Sequence, residues 1–239
     1  MLPKLSHSIF DITIPSSGKK MKFRQFLVKE EKLLLTAEEG KDLNELLEAV
    51  KQVIRNCSIN KFDPGECPLF DLEYIFLRLR SRSVSNISEI IIIDNSDKKE
   101  YKFDIDLDTI EVEMNPNHKD KIQLSESIGI VMKYPTINLT DKLLKEVETK
   151  TMSKNDVDFY ITKQCISQIY DNTKLYKPFV DCTEEELDEF LLNLNREQSE
   201  KIKSFFETIP KLTHTITYTN SLGEDKTIVL DGISDFFLF

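Results

Sequence analysis

The spacing of apolar residues changes several times along the chain and predicts a different element each time. Residues 9–26 alternate between apolar and polar on both sides of the turn-forming segment PSSGK, which predicts a β-hairpin with Gly18 in its turn. In the next two stretches apolar residues recur three and four positions apart, which is typical of amphipathic helices. The first, VKEEKLLLTAEE, meets Gly40 where a left-handed residue would end it, and Asp42 can cap the second.

A third helix, FDLEYIFLRLRSRS, is predicted after a turn built around the segment DPG. The period then falls to two residues in EIIIID, YKFDIDLD, TIEVEM, KIQLSES and IGIVMKYP, which predicts an antiparallel meander over residues 88–135. Helical spacing returns after residue 140, and the expected helices cover residues 141–147, 154–170, 183–194 and 196–208. Thr183 and Glu186 have the spacing of a capping box.

The C-terminal segment combines a second predicted hairpin, THTITYTNSLGEDKTIVLDG, with an apolar end. Phe236, Phe237, Leu238 and Phe239 would be costly to leave in water. Two alternatives follow: these side chains dock onto the protein's own core, or they bind a partner. We therefore treat Phe236, Phe237 and Phe239 as candidate partner-binding residues.

Together these elements predict an α+β fold with terminal β-hairpins, helical layers and an antiparallel strand-rich middle region. Three segments are expected. Residues 1–87 hold the first hairpin and its helices, residues 88–137 hold the strand-rich region, and residues 138–239 hold helices that end in a β-hairpin. The first and third segments can form one compact domain.

The charge of the chain narrows the classes of partner. Forty-two acidic residues against thirty-two basic ones give a formal charge of −10, and this field repels phosphate backbones and anionic lipid heads. No apolar run approaches the roughly 18 residues that span a bilayer, and no signal-peptide core opens the sequence. We therefore expect no nucleic acid and no membrane as partner, and a cytosolic or particle-bound location. The oligomeric state stays unknown at this level.

The dense positive charge is confined to one arginine cluster. Arg78, Arg80 and Arg82 in LRLRSRS are half of the six arginines in the chain. Guanidinium groups bind carboxylates in a bidentate manner and are enriched at protein interfaces. Three alternatives are open: pairing with the chain's own acidic strands, binding to a protein partner, or binding to nucleic acid, which the overall charge opposes. The three arginines are candidate partner-binding residues.

Three aspartates at alternating positions, Asp104, Asp106 and Asp108, suggest a calcium site at first sight. A calcium-binding loop that began there would need glycine at its sixth position and glutamate at its twelfth, and this chain has Thr109 and Asn115 instead. We therefore expect these carboxylates to form the solvated face of a half-buried strand.

The residues that most often carry chemistry lack the spacing that such chemistry needs. The cysteines and histidines are Cys57, Cys67, Cys165, Cys182, His7, His118 and His214. We expect four free thiols, no metal and no cofactor. Because no glycine-rich phosphate loop and no nucleophile signature occurs, no catalytic residue is proposed, and an enzyme such as a hydrolase is the weakest alternative.

Three stretches of the sequence resemble a known family. LPKLSHSIFDITIPSSGKKMKFRQFLVKEEKLLL opens the chain, and FDLEYIFLRLRSRSVSN and IGIVMKYPTI follow. The pattern is a strand led by proline, then F-R-x-F-L-V-K-E-E-K into a leucine run, then F-D-x-E-Y and an arginine-serine helix end. It resembles the baseplate hub protein family of large contractile-tailed bacteriophages over roughly the whole chain.

This resemblance implies a structural or morphogenesis role in the tail baseplate hub, through contacts with other hub or tail proteins, and it offers no active-site residues. It implies a location in the tail baseplate of the virion, and in the host cytoplasm during assembly. The alternative role is a transient tail or baseplate assembly chaperone that is absent from the mature virion.

Overall fold

The protein is described by a computed structural model over residues 5–149 and 152–236. In chain order its elements are β1 (Ile9–Thr13), β2 (Lys20–Arg24), α1 (Val28–Glu39), α2 (Leu43–Cys57), α3 (Leu69–Ser83), β3 (Ile87–Ile93), β4 (Glu100–Asp106), β5 (Val112–Glu113), β6 (Lys121–Gln123), β7 (Gly129–Met132), α4 (Ile137–Glu148), α5 (Lys154–Cys165), β8 (Ile166–Tyr170), β9 (Leu175–Tyr176), α6 (Glu184–Leu192), α7 (Arg196–Glu207), β10 (Lys211–Thr219), β11 (Asp225–Asp231) and α8 (Ile233–Phe236). Helices and small antiparallel sheets together confirm the predicted α+β class.

The described residues group into two compact units. Unit 1 combines residues 5–113 with residues 211–236, and unit 2 lies between residues 114 and 210. The three-segment division predicted from the sequence, with boundaries after residues 87 and 137, stays a prediction.

Unit 1 begins with the predicted hairpin, in which β1 and β2 pair from Ile9 with Arg24 to Thr13 with Lys20. Gly18 occupies the left-handed region of its turn at φ 65°, where a side chain would be strained. The two terminal hairpins belong to different sheets, since β10 pairs with β11 and β5. The first hairpin is instead joined to the unit by side-chain contacts and by a backbone hydrogen bond from the Ile59 N–H to the Lys22 carbonyl at 2.9 Å.

Helix α3 is the centre of unit 1. Eleven of its fifteen residues are buried, and they include the charged residues Asp71, Glu73, Arg78 and Arg80. A helix that is enclosed on several faces has to satisfy its polar side chains inside the protein. The contacts of α3 therefore determine how the surrounding segments are arranged.

The first of these contacts joins α3 to the β1–β2 turn. Asp71 is 1% exposed, and its carboxylate accepts hydrogen bonds from the Ser16 backbone N–H, at 2.9 Å, and from the Ser16 hydroxyl. Burial raises the pKa of Asp71, and the two hydrogen bonds from Ser16 offset this only in part. The F-D-x-E-Y segment thus places an acidic side chain where the first hairpin needs an acceptor.

A buried ion pair links the first hairpin to two helices. The Arg24 guanidinium lies 3.0 Å from Glu30 at the start of α1, and it donates to the Asn56 carbonyl at the end of α2 at 2.9 Å. Glu30, whose side chain is fully buried, also accepts from the Leu27 N–H at 2.9 Å. Burial alone would raise the pKa of Glu30, but the hydrogen bonds from Arg24 and Leu27 outweigh it and keep that pKa below its usual range.

The end of α1 differs from the sequence prediction by one residue. Gly40 keeps a right-handed conformation with φ −66°, and the left-handed residue is Lys41 at φ 54°. The chain therefore reverses directly before Asp42, whose side chain accepts from the Asn44 N–H and caps α2 as predicted.

The single meander predicted for residues 88–135 is wrong. Strands β3 and β4 form a sheet of their own, β5 pairs with β10, and β6 and β7 belong to the sheet of unit 2. The reason lies after β4, where the chain enters a 3-10 turn at Leu107–Thr109 that redirects it away from its neighbour. The Arg78 side chain holds this turn by donating to the Leu107 and Ile110 carbonyls.

Unit 2 packs its helices against the antiparallel sheet β6-β7-β8-β9. A helix over residues 154–170 was predicted, and this is wrong for residues 166–170, which form β8. Ile166, Ile169 and Tyr170 suit a strand, and pairing with β7 overrides the local helical spacing. Gly129 in β7 leaves no room for a side chain, because a Cβ atom there would lie 2.9 Å from the Ile122 carbonyl oxygen and 2.2 Å from the Tyr170 hydroxyl.

The helices of unit 2 are capped and paired by charge. Thr183 and Glu186 form the predicted capping box at the start of α6. Lys163 of α5 is buried, and its ammonium lies 2.7 Å from Glu184 and 2.8 Å from Asp188. This pairing fixes α5 against α6.

His118 lies in an aromatic cluster of unit 2. Its ring stacks on Tyr134 at 5.4 Å and contacts Phe205 at 4.9 Å between centroids, and its Nδ1 lies 2.9 Å from the Thr208 hydroxyl. Nε2 is buried with no hydrogen-bond partner among the described residues. Burial lowers the pKa of His118, against a smaller opposing effect of Asp120.

Within residues 5–149 and 152–236, the length and apolarity that a bilayer-crossing helix needs are not found in any helix.

We expect Glu30→Gln to destabilise the protein by about 2–4 kcal/mol, because it leaves Arg24 without its buried counter-charge. Urea denaturation checks this value. The control is Glu39→Gln at an exposed position of the same helix, which should change stability by less than about 0.5 kcal/mol. Equal effects of the two substitutions would contradict the assigned role of the pair.

Protonation of His118 should cost stability. Since its folded pKa is lowered, the unfolded chain binds more protons, so stability falls as pH drops through the ordinary histidine range, from about 7.5 to 5.5. His118→Phe keeps the ring contacts and should flatten this pH dependence in denaturation measured at several pH values. If the stability of the wild type and of the variant changed with pH in the same way, His118 would not be the cause of the pH dependence.

Candidate interaction surfaces

Arg78, the first of the predicted arginines, is committed to contacts inside unit 1. Its guanidinium donates to the Leu107 carbonyl at 2.7 Å, to the Ile110 carbonyl at 2.6 Å and to the Glu111 carboxylate at 2.7 Å. The Tyr74 ring lies beneath it, 4.6 Å from its centroid to Cζ. The residue is 9% exposed. Of the three alternatives drawn from the sequence, pairing within the chain is the one that the contacts of Arg78 match.

The other two arginines of the cluster lie in different surroundings. Arg80 is buried, and burial lowers its pKa. Arg82 is accessible, with 58% of its side chain exposed and one Nη atom 4.0 Å from Asp108. Binding of a partner by Arg78, Arg80 or Arg82 stays a prediction, and Arg82 is the member that solvent reaches most freely.

Asp108 corrects the predicted row of three solvated aspartates. Strand β4 ends at Asp106, whose carboxylate accepts from the Asp108 N–H at 3.0 Å and caps the following turn. Asp108 itself accepts from the Ser81 hydroxyl at 2.6 Å and lies 3.8 Å from Arg78. The row of solvated aspartates therefore ends at Asp106, because the Asp108 carboxylate contacts Ser81 and Arg78 of α3. Asp104 is exposed on β4 as expected.

The aromatic C-terminus is described as far as Phe236. Phe236 ends α8 and is 1% exposed within unit 1. Phe237 and Phe239 lie outside the described residues, as does Leu238. The predicted partner-binding role of Phe236, Phe237 and Phe239 stays a prediction.

The β3–β4 hairpin is fixed firmly to the β10–β11 hairpin. At its tip, Asp94 accepts from the Tyr218 hydroxyl at 2.9 Å, and Asp97 accepts from the Ser221 hydroxyl at 2.7 Å. On its inner face, the rings of Tyr101 and Phe103 lie 4.8 and 5.3 Å from the Tyr218 ring. These contacts hold the tip and one face of the hairpin, and the other face is open.

That open side, which we call the hairpin outer face, consists of alternate residues of β3 and β4: Ile87, Glu89, Ile91, Ile93, Glu100, Lys102, Asp104 and Asp106. Its isoleucines are 44–61% exposed. Four carboxylates stand against one ammonium on it. Glu89 and Asp104 are direct cross-strand partners, and Lys102 lies 3.2 Å from Glu89. The face is therefore both apolar and acidic.

Unit 2 carries an apolar groove of about 610 Å³ between α5, α6 and α7. Its apolar lining is formed by Phe159, Ile161, Leu191, Leu194, Ile202 and Phe206. The charged residues at the groove, Asp158, Lys203 and Glu207, have both signs. This mixture of charges selects no particular class of partner.

A turn between β9 and α6 also presents apolar side chains. Phe179 is 47% exposed and adopts a left-handed φ of 61°, and Val180 is 77% exposed. A bulky residue at positive φ is uncommon and costs conformational energy. The Lys177 carbonyl accepts from the Asp181 N–H at 2.9 Å, which closes the turn.

The side chains with chemical reactivity are dispersed. In the described parts of the chain, no group of three or more His, Cys, Asp or Glu residues is arranged to hold a metal ion. All four cysteines are free thiols, as predicted. Burial raises the pKa of Cys57, Cys67 and Cys165 to about 12.

Sequence reasoning missed the hairpin outer face and the Phe179 turn. The run EIIIID did contain a usable signal, because a continuous apolar run is typical of a strand covered on both faces. No comparable signal marks Phe179, since its exposure and backbone conformation depend on the turn.

The contrast between two arginines can be measured. We expect Arg78→Ala to destabilise the protein by about 2–3 kcal/mol, since it leaves two carbonyls of the 3-10 turn without their donor. Arg82→Ala, at an exposed position on the same helix, should change stability by less than about 0.5 kcal/mol. Chemical denaturation of both variants checks this, and equal losses would contradict the internal role of Arg78.

Comparison with known proteins identifies a family. The family model described as T4 bacteriophage base plate protein matches residues 7–238. No curated protein and no solved structure matches the chain. The match confirms, at the level of the phage baseplate, the resemblance seen in the sequence. It includes the segments with the buried contacts of Arg24, Glu30, Asp71 and Arg78. The chain therefore belongs to the T4 bacteriophage base plate protein family.

Proposed function

We propose that the chain is a structural or morphogenesis protein of the phage tail baseplate hub, and that it acts through contacts with other hub or tail proteins. The observation that carries the proposal is the family match, which extends over residues 7–238 and so includes both units. Membership in a family of baseplate proteins supports a role without catalysis and a location in the tail baseplate of the virion. During assembly the protein is in the host cytoplasm.

Exposed apolar side chains support protein contacts as the mode of action. Ile91 and Ile93 in unit 1 and Phe179 and Val180 in unit 2 are 47–77% exposed. Large apolar side chains that lie together at a surface mark interaction sites, because a partner that covers them removes apolar area from water. The formal charge of −10 favours partners with basic surfaces, because complementary charge speeds association and excludes acidic competitors.

The residues predicted to bind a partner differ in how they can contribute. Arg82 fits the polar rim of an interface, where an accessible guanidinium pairs with a carboxylate of the partner. For Phe237 and Phe239 the proposal rests on their apolar character alone. Arg78 acts on a partner only indirectly, by holding the turn after β4, and Arg80 is buried.

A tagged full-length chain expressed in phage-infected cells tests the proposal. We expect hub and tail proteins to co-purify with it under gentle conditions, and we expect the chain in the proteome of purified virions. The same tag on an unrelated acidic protein of similar size is the control for charge-driven capture.

Two outcomes of this experiment argue against parts of the proposal. Recovery of the chain without any tail protein would contradict the role in baseplate assembly. Recovery with tail proteins from the lysate, together with absence from purified virions, would favour a transient assembly chaperone over a permanent subunit.

A further inference from the structure

We propose that the hairpin outer face is a docking surface for a neighbouring polypeptide of the phage tail that presents apolar side chains between lysines or arginines. The inference rests on the proposed function, because it identifies where on this chain one of the contacts forms. It follows from three observations on β3 and β4: their apolar pattern, their charge and their attachment.

Strand β3 has more isoleucine side chains than the rest of unit 1 covers. The strand carries isoleucine at both odd and even positions, a pattern typical of strands that are buried on two faces. Within the described residues it pairs with β4 alone, and the two strands form a two-stranded sheet. Ile90 is buried on the inner face, whereas Ile91 and Ile93 are 49% and 61% exposed on the outer face. A partner that covers these side chains would complete the pattern.

The charges of the outer face determine the chemistry of that partner. Glu89 and Asp104 lie directly opposite each other across the two strands, and like charges in this arrangement destabilise a sheet. Lys102 compensates for one of them at 3.2 Å, while Glu100 and Asp106 add further negative charge. Lysine or arginine side chains of a partner would relieve this repulsion, and an acidic partner would increase it.

The attachment of the hairpin makes the surface rigid before binding. Hydrogen bonds from Tyr218, Asn220 and Ser221 hold the carboxylates of Asp94 and Asp97 at the tip. A rigid surface loses little conformational entropy on association. The groove of unit 2 has a smaller excess of negative charge, with two carboxylates and one ammonium against four carboxylates and one ammonium on the hairpin outer face.

Charge reversal separates a docking role from a structural one. Asp104→Lys replaces a like-charge pair with an opposite-charge pair, so the thermal midpoint of the purified protein should rise. The same variant, used as tagged bait in infected cells, should recover at least tenfold less of its main co-purifying tail protein. Glu39→Lys, with the same change of charge at an exposed position of α1, is the control and should keep recovery unchanged.

The apolar part of the surface is tested in the same assay. Ile91→Thr keeps a β-branched side chain and should lower recovery of the tail protein severalfold with little change in thermal midpoint. Val229→Thr removes an equally exposed apolar side chain from β11 and is the matched control.

A photo-reactive amino acid at position 91 of the full-length chain identifies what lies against the face. We expect a cross-link to a tail protein, at a peptide with apolar residues next to lysine or arginine. A cross-link to an acidic segment or to a second copy of this chain overturns the inference, and so does unchanged recovery with Asp104→Lys and Ile91→Thr. If tail proteins co-purify but the face is not involved, the proposed function survives alone. If no tail protein co-purifies with the wild type, both proposals fail.

Discussion

A helix that is enclosed by its neighbours can carry charged residues only if the protein supplies their partners, and helix α3 imposes this condition on unit 1. Asp71 near its start holds the first hairpin through Ser16, and Arg78 near its end holds the turn after β4. Both contacts use charged groups in low-dielectric surroundings, where an unmatched charge is far more costly than at the surface. These two residues tie the β1–β2 turn and the turn after β4 to α3.

Because the buried charges of α3 need partners inside the protein, they also limit which residues of unit 1 can bind another molecule. The buried charged side chains of α3 are not accessible to a partner. Arg82 is exposed because it lies near the end of the helix. The β3–β4 hairpin is different. Its inner face and tip attach it to β10–β11, whereas its isoleucines on the outer face are exposed and Glu89, Glu100 and Asp104 give that face negative charge. We therefore place the proposed contact there and assign Arg78 of α3 to stability.

Much of the fold follows from local patterns, and the departures have identifiable causes. The first hairpin, the cap at Asp42 and the capping box at Thr183 depend on neighbouring residues, and the sequence predicted them correctly. The strand at residues 166–170 depends on pairing with β7, which local helical spacing cannot reveal. The change of chain direction between β4 and β5 depends on a hydrogen bond from Arg78 to the Leu107 carbonyl, which is 29 residues away in the sequence. Likewise, the sequence contains the family pattern, but the exposure of the outer face depends on β3 pairing with β4 alone among the described residues.

Cryo-electron microscopy of phage baseplates and of their assembly intermediates tests the central claim most directly. The account predicts density for this chain in the hub, with the β3–β4 outer face covered by a neighbouring polypeptide whose lysines or arginines approach Glu89 and Asp104. A hub reconstruction that contains the chain with this face open to solvent would contradict the proposed contact. Absence of the chain from both the baseplate and its intermediates would contradict the proposed role as a whole.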